Sequence, residues 1–205
     1  MLIAMARGLL AQGEQNVKDL GVGRDDADQL RELIEQGLET DLLLLSGGVS
    51  AGTMDLVPGI LSELGVRQVF HKVRVKPGKP IWFGILERES GKPTYVFGLP
   101  GNPVSSLVGF RLFVCAAVCK LMGGVADLGS SVTAELSRDH ETRGDRPTFW
   151  PGRWANEESC TRKVEPLDWR GSSDLLALGQ AEGLIFFPAE CHQNKTGQSV
   201  QFYPL

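Results

Sequence analysis

Twice along this chain a short apolar run closes on a glycine-rich loop, and each loop leads into a helix-like stretch. Residues 42–45 are four consecutive leucines, followed by Ser46-Gly47-Gly48-Val49-Ser50-Ala51-Gly52. Residues 94–98 lead into Gly98-Leu99-Pro100-Gly101-Asn102-Pro103-Val104-Ser105. An apolar run as short as 42–45 predicts a strand buried on both faces, as in a parallel sheet. Strand–loop–helix units of this kind predict an open α/β sheet. Both loops then lie beyond the carboxyl ends of their strands, where such sheets bind ligands. Between them sits Lys76-Pro77-Gly78-Lys79-Pro80.

The remaining pattern fills in around these units. Residues 1–12 read as an amphipathic helix rather than a signal peptide, because no basic stretch precedes the apolar one and Arg7 interrupts it. The chain is thus expected to enter a folded unit with no preceding linker. Residues 14–20 read as a short strand. Asp25 and Asp26 supply start signals for a helix over 26–39, with Leu30, Leu33, Ile34 and Leu38 on one face. A helix to about 64 follows the first loop. With Asp55 as N-cap, Pro58 falls at the third helical position, where its missing N–H costs nothing. Residues 66–76, 80–87 and 94–98 read as strands. Asn102-Pro103 reads as an N-cap followed by proline at the first helical position. The helix from there to about 122 is apolar nearly all round, which predicts burial.

Beyond Gly123-Gly124 the character changes. Short strand-like pieces at 131–137, 147–155, 161–167, 184–188 and 199–203 alternate with turn residues, and only 173–181 looks helical. This predicts a small β-domain, a barrel or a sandwich.

Composition narrows the function. The chain has 205 residues, room for one large or two small domains. Its net charge of −4 argues against a broad nucleic-acid surface, so any anion site must be built from local basic residues. No apolar run in the sequence reads as a bilayer span, so no membrane role is expected. Cys115, Cys119, Cys160 and Cys191 form no CxxC pair and no compact zinc spacing, which favours core thiols in reducing cytoplasm.

The loops and lysines together predict a polyanion site. Glycines let the backbone approach a ligand and expose N–H groups, and a following helix adds partial positive charge. Ser50 and Ser105 add hydroxyl donors. In His71-Lys72-Val73-Arg74-Val75-Lys76, strict alternation places Lys72, Arg74 and Lys76 on one face. A solvated strand face accounts for Lys72. It accounts less well for Lys76 and Lys79, where two prolines restrict the backbone around a pair of ammonium groups. Asp55 has two readings of equal weight, helix cap or ligand of a Mg²⁺ ion bridged to substrate phosphates.

SGGVSAGTMD, KPGKP and GLPGNPVS, in this order and spacing, resemble the MoeA and gephyrin E-domain family, the molybdopterin molybdenumtransferases. The resemblance covers nearly the whole chain. It implies a three-layer parallel-sheet molybdopterin-binding domain, MogA-like, over 1–125, and a small C-terminal β-barrel over 130–205. It implies insertion of molybdate into adenylated molybdopterin with release of AMP, assisted by Mg²⁺. Ser46, Gly47, Gly48, Ser50 and Gly52 would cradle the pterin-phosphate end, and Pro100, Gly101, Asn102, Pro103 and Ser105 would form the second wall. Asp55 would hold the metal or position the phosphate bond, and Lys76 and Lys79 would hold molybdate. Arg146, in Arg146-Pro147-Thr148-Phe149, and one of Ser172 or Ser173 would contact molybdate. Asp174 departs from the pattern, standing where some relatives carry a basic residue. Family members carry two further domains ahead of this region and work as homodimers, so the chain reads as the C-terminal half.

Two other readings compete. A related adenylyltransferase would use the same α/β fold, but KPGKP and residues 130–205 argue against it. A non-catalytic pterin-binding module or scaffold is the other. Nothing in the composition distinguishes molybdate from tungstate.

Overall fold

The computed structural model describes residues 16–24, 26–49, 56–89, 91–124, 131–155, 161–171 and 174–205. The expected helix over 1–12 lies outside them. By packing, the chain forms two compact units, Met1–Val73 with Pro80–Asn102 and Arg74–Lys79 with Pro103–Leu205.

The first unit is an α/β layer structure. Helix α1 spans Ala27–Leu38 and starts where the sequence predicts, because the Asp26 side chain accepts the Gln29 N–H at 2.9 Å. Asp26→Ala is expected to cost about 1 kcal/mol, read as a melting-temperature drop of roughly 2–4 °C. Ile34 and Leu38 of α1 share a core with Val57, Ile60 and Leu61 of helix α2, Leu56–Glu63. From the strands come Leu43, Trp82 and Val96.

Four strands, β1 (Leu42–Ser46), β2 (Arg67–His71), β3 (Trp82–Leu86) and β4 (Thr94–Leu99), stand in the order β1-β4-β3-β2. Only β1 and β4 pair in parallel; β3 runs antiparallel to both of its neighbours. The expected parallel sheet is therefore mixed among the described residues. Short connections carry β2 into β3 and β3 into β4, and a parallel pair would need a long crossover instead. Period two shows on β3 and β4. Trp82 and Val96 face the helices, while Phe83, Tyr95 and Phe97 line the other face, with Phe83 and Phe97 in register and their rings 4.6 Å apart.

Two strand expectations fail here. Residues 16–20 form no strand; Asp19 instead accepts the Gly21 N–H at 2.8 Å, a side-chain bond that competes with ladder pairing. The strand expected over 66–76 stops at His71, because Lys72 takes a left-handed φ of 73°. Lys72 therefore breaks the alternation predicted through Lys76.

The second unit holds the long helix and the barrel. Helix α3, Pro103–Leu121, begins on proline as expected and contains a π-helical turn over Phe110–Val114. Contrary to the sequence reading, it is long and apolar enough by length and composition alone to cross a membrane. Half of it is buried, as in a core helix, and Arg111 Nε donates to the Pro204 carbonyl at 3.0 Å.

The β-domain is a barrel rather than a sandwich. Strands β5 (Val132–Leu136), β7 (Thr148–Trp154), β8 (Lys163–Pro166), β9 (Gly183–Phe187) and β11 (Ser199–Pro204) close in the order β11-β5-β8-β7-β9. Leu136, Val164, Ile185, Phe187 and Phe202 fill it. The two-residue strands β6 (His140–Glu141) and β10 (Gln193–Asn194) pair beside it and are too short to show a period in sequence. Helix α4 spans Leu175–Gly179.

His140 packs edge-on to Trp150 and nearly parallel to Phe187, with centroids 4.3 and 4.9 Å away. Burial, reinforced by the Arg138 charge, lowers its pKa to about 4. Its folded pKa then lies below the unfolded value, so the unfolded chain binds more protons between the two. The stability this residue contributes is complete above about pH 6.5 and is lost as pH falls toward 4. Acid titration of the melting temperature should show this loss, and His140→Phe should flatten it.

Candidate functional site

The two glycine loops meet in the first unit. Because β1 and β4 run parallel with Ser46 opposite Leu99, their loops leave the sheet at the same end. The Gly47 N–H extends the ladder to the Leu99 carbonyl at 3.0 Å. Gly47 and Gly48 both take positive φ, 86° and 66°. The two loops approach closely, and a Cβ built on Gly101 would stand in ordinary contact, 3.6 Å from the Gly47 Cα; it is the positive φ at Gly47 that calls for glycine. Loop one is pinned from below. Val49 is buried, and its carbonyl lies 3.1 Å from His71 Nε2. Ser46, Gly48 and Gly101 remain exposed and Asn102 half-buried, while Pro100 is buried. Successive backbone amides in such a turn form a concavity suited to an anion. Ser50, Gly52 and Asp55 lie outside the described residues, as do Ser172 and Ser173.

The lysine segment packs with the barrel. Lys76 enters the start of β7 through its backbone: its N–H donates to the Pro147 carbonyl at 2.9 Å, and its carbonyl accepts from Phe149 at 2.8 Å. Side chains complete the clasp in both directions. Lys76 Nζ donates to the Arg143 carbonyl at 3.2 Å, and Arg146 Nη1 donates to the Val75 carbonyl at 2.9 Å. Arg74 Nη2 reaches the Asp145 carbonyl at 2.6 Å. Lys79 is exposed, with no partner among the described residues. Thus Lys76 and Arg146, seventy positions apart, are held on one backbone framework.

Arg74 reaches the same loop and Arg143 supplies the carbonyl that seats Lys76, and neither was singled out in the sequence. Arg74 had a signal, since it alternates with Lys76. Arg143 had only its proximity to Arg146. Pro103 opens α3 half-buried, and Ser105 is buried within that helix.

In the second unit some charges are paired and others are not. Asp139 pairs with Lys195, Asp168 with Arg138 and Glu165 with Arg153. The Lys195 and Thr196 donors hold the Asp139 carboxyl at about 2. No ion pair reaches Arg74, Lys76, Lys79, Arg143 or Arg146 among the described residues. Asp174 has a structural explanation: its carboxylate accepts N–H bonds from Ala177 and Arg170, each at 3.1 Å, and caps α4. These bonds lower its pKa.

Comparison with known proteins adds a common theme. A family model described as a "probable molybdopterin binding domain" matches residues 3–119, and one for the "MoeA C-terminal region (domain IV)" matches 133–205. A molybdopterin molybdenumtransferase from Synechocystis is 33% identical over 196 residues, covering 95% of this chain and 46% of that protein. A gephyrin from Dictyostelium discoideum is 32% identical, covering 91% and 28%. A crystal structure of a molybdopterin biosynthesis MoeA protein from Pyrococcus horikoshii superposes with a TM-score of 0.77 at 26% identity, over all of this chain and 47% of that one. The chain spans about half the length or less of these curated relatives.

Proposed function

The chain belongs to the MoeA family of molybdopterin-binding proteins, and from that premise we propose that it forms the C-terminal half of a molybdopterin molybdenumtransferase. In this reading it binds adenylated molybdopterin and molybdate, inserts the metal oxyanion at the dithiolene and releases AMP. The observation that carries it is the cation cluster clasped around Lys76 and Arg146, which has no carboxylate partner among the described residues.

The proposed roles rest on the motifs, and the geometry of the described residues supports them. Backbone amides of Gly48 and Gly101, with Ser46, Asn102 and the turn that Gly47 makes, hold the pterin-phosphate end, joined by Ser50 and Gly52. Lys76, Lys79 and Arg146, with Ser172 or Ser173, hold molybdate. The two lysines also offset charge that grows on the phosphate as the anhydride breaks. The domain division follows the matched regions, with pterin binding in 1–125 and the barrel in 130–205. Tungstate satisfies the same contacts.

Mg²⁺ is the proposed assistant, and it would neutralise phosphate charge. Among the described residues, no three His, Cys, Asp or Glu side chains group closely enough to form a cage. Its protein ligand would be Asp55, with substrate phosphates and water completing the shell. Asp55→Asn is expected to raise the Mg²⁺ concentration needed for half-maximal AMP release at least about tenfold, read by magnesium titration.

We place the reaction in the cytoplasm, in a homodimer of full-length protomers. The described cysteines, Cys115, Cys119 and Cys191, are free thiols. The match of 133–205 to the MoeA C-terminal region favours metal insertion over adenylylation. A pterin-binding module without turnover is the second reading, favoured by the match of 3–119 to a probable molybdopterin binding domain. The test is AMP release from adenylated molybdopterin with molybdate and Mg²⁺, by the chain alone and with the N-terminal half of a relative added. Release in either mixture supports insertion. Tight pterin binding without release in both supports the module.

A further inference from the structure

We propose that Arg74 is a further oxyanion-binding residue, holding a tetrahedral dianion beside Lys76 and setting its affinity. The inference rests on the reading above that this segment receives molybdate, and it adds a residue that the motifs do not include.

Three observations support it. The first is placement. Arg74 is exposed and Lys76 half-buried on either side of Val75, which is buried at 5% exposure. Both are then anchored to one short loop, Arg74 on the Asp145 carbonyl and Lys76 on the Arg143 carbonyl.

The second is unused donor capacity. A guanidinium has five N–H donors in a rigid plane, and an ammonium has three. Arg74, Lys76 and Arg146 each spend one on a backbone carbonyl. Those bonds orient the cations without neutralising them. The other donors are available to an oxyanion, and the fork geometry of arginine suits two oxygens at once.

The third is uncompensated charge beside open space. Arg74, Lys76, Lys79, Arg143 and Arg146 have no ion pair among the described residues, although Arg138, Arg153 and Lys195 of the same unit are all paired. Arg74 lines a cavity of about 390 Å³ with Gly144, Asp145, Ala189, Glu190 and His192. The Asp145 and Glu190 carboxylates line it too, so within this cavity an anion is favoured only against the Arg74 guanidinium. A neutral ligand would gain nothing from such an arrangement.

The experiment is calorimetric titration of sodium molybdate into the full chain and into Arg74→Ala, Arg74→Lys and Lys79→Ala. Arg74 is exposed and its bond is to a backbone carbonyl, so these variants should keep the circular dichroism spectrum and melting temperature of the parent. Arg74→Ala is expected to weaken molybdate binding about tenfold, the loss of a charged hydrogen-bond partner. Arg74→Lys should recover part of that loss, and the salt dependence of binding should be shallower in Arg74→Ala. A dissociation constant for Arg74→Ala within about twofold of the parent, with Lys79→Ala strongly impaired, overturns this inference and leaves the proposed function standing. No molybdate uptake by the parent chain, alone or with the N-terminal half of a relative added, overturns both.

Discussion

Lys79→Ala is expected to abolish molybdate-dependent AMP release while leaving the fold intact. The expected loss is at least about 100-fold, the scale seen when one electrostatic donor to a developing negative charge is removed. Lys79 is exposed and has no partner among the described residues, so no packing or hydrogen bond is lost with its side chain. The melting temperature should therefore stay within a degree or two of the parent, since surface substitutions of this kind change stability by roughly 0.5 kcal/mol or less. Lys76→Ala is a less clean experiment, because its ammonium also bonds the Arg143 carbonyl. Full activity in Lys79→Ala would remove that lysine from the site.

Gly98→Ala should damage loop one although the substituted position lies outside that loop. A Cβ on Gly98 would stand 2.5 Å from Val49 Cγ1, and Val49 is 1% exposed with no room to retreat. Overpacking of this kind costs about 1–3 kcal/mol. The displacement should reach the function too, because the Val49 carbonyl is tied to His71 and the loop stands on both anchors. Urea unfolding and pterin affinity should both fall. Val49→Ala provides the check: made together with Gly98→Ala, it should restore part of the lost stability, a non-additivity expected of side chains in contact. Strictly additive losses would mean that Val49 does not hold the loop through Gly98.

Much of this architecture was readable before the structure. The Asp26 cap, the leucine strand, the proline-led α3 and the five main barrel strands fall close to where the sequence places them. They do so because each is set by local chemistry or by a period visible within a few residues. The failures have equally local causes. Asp19 satisfies a backbone amide with its own side chain, and the left-handed Lys72 ends a strand whose alternation continues through Lys76 on paper. The two-residue β6–β10 pair has no period to read. The candidate site divides in the same way. Its motif residues were legible, whereas Arg74 and Arg143 lacked a motif and came into view through the carbonyls that seat the cluster.

By itself, the sequence determined which segments bend, which bury and which carry charge: two glycine loops, a lysine pair between prolines, and a β-rich second half. Those are properties of short stretches, where propensity and side-chain chemistry decide. The tertiary structure alone decided that the sheet is mixed, that the β-domain closes as a barrel, and that Gly47 meets Gly101 backbone to backbone. It also decided that Lys76 lies against a loop some seventy residues away, through bonds given and received by both segments. Pairings over that distance depend on which backbone carbonyls and amides the fold leaves unsatisfied, and no local pattern records them.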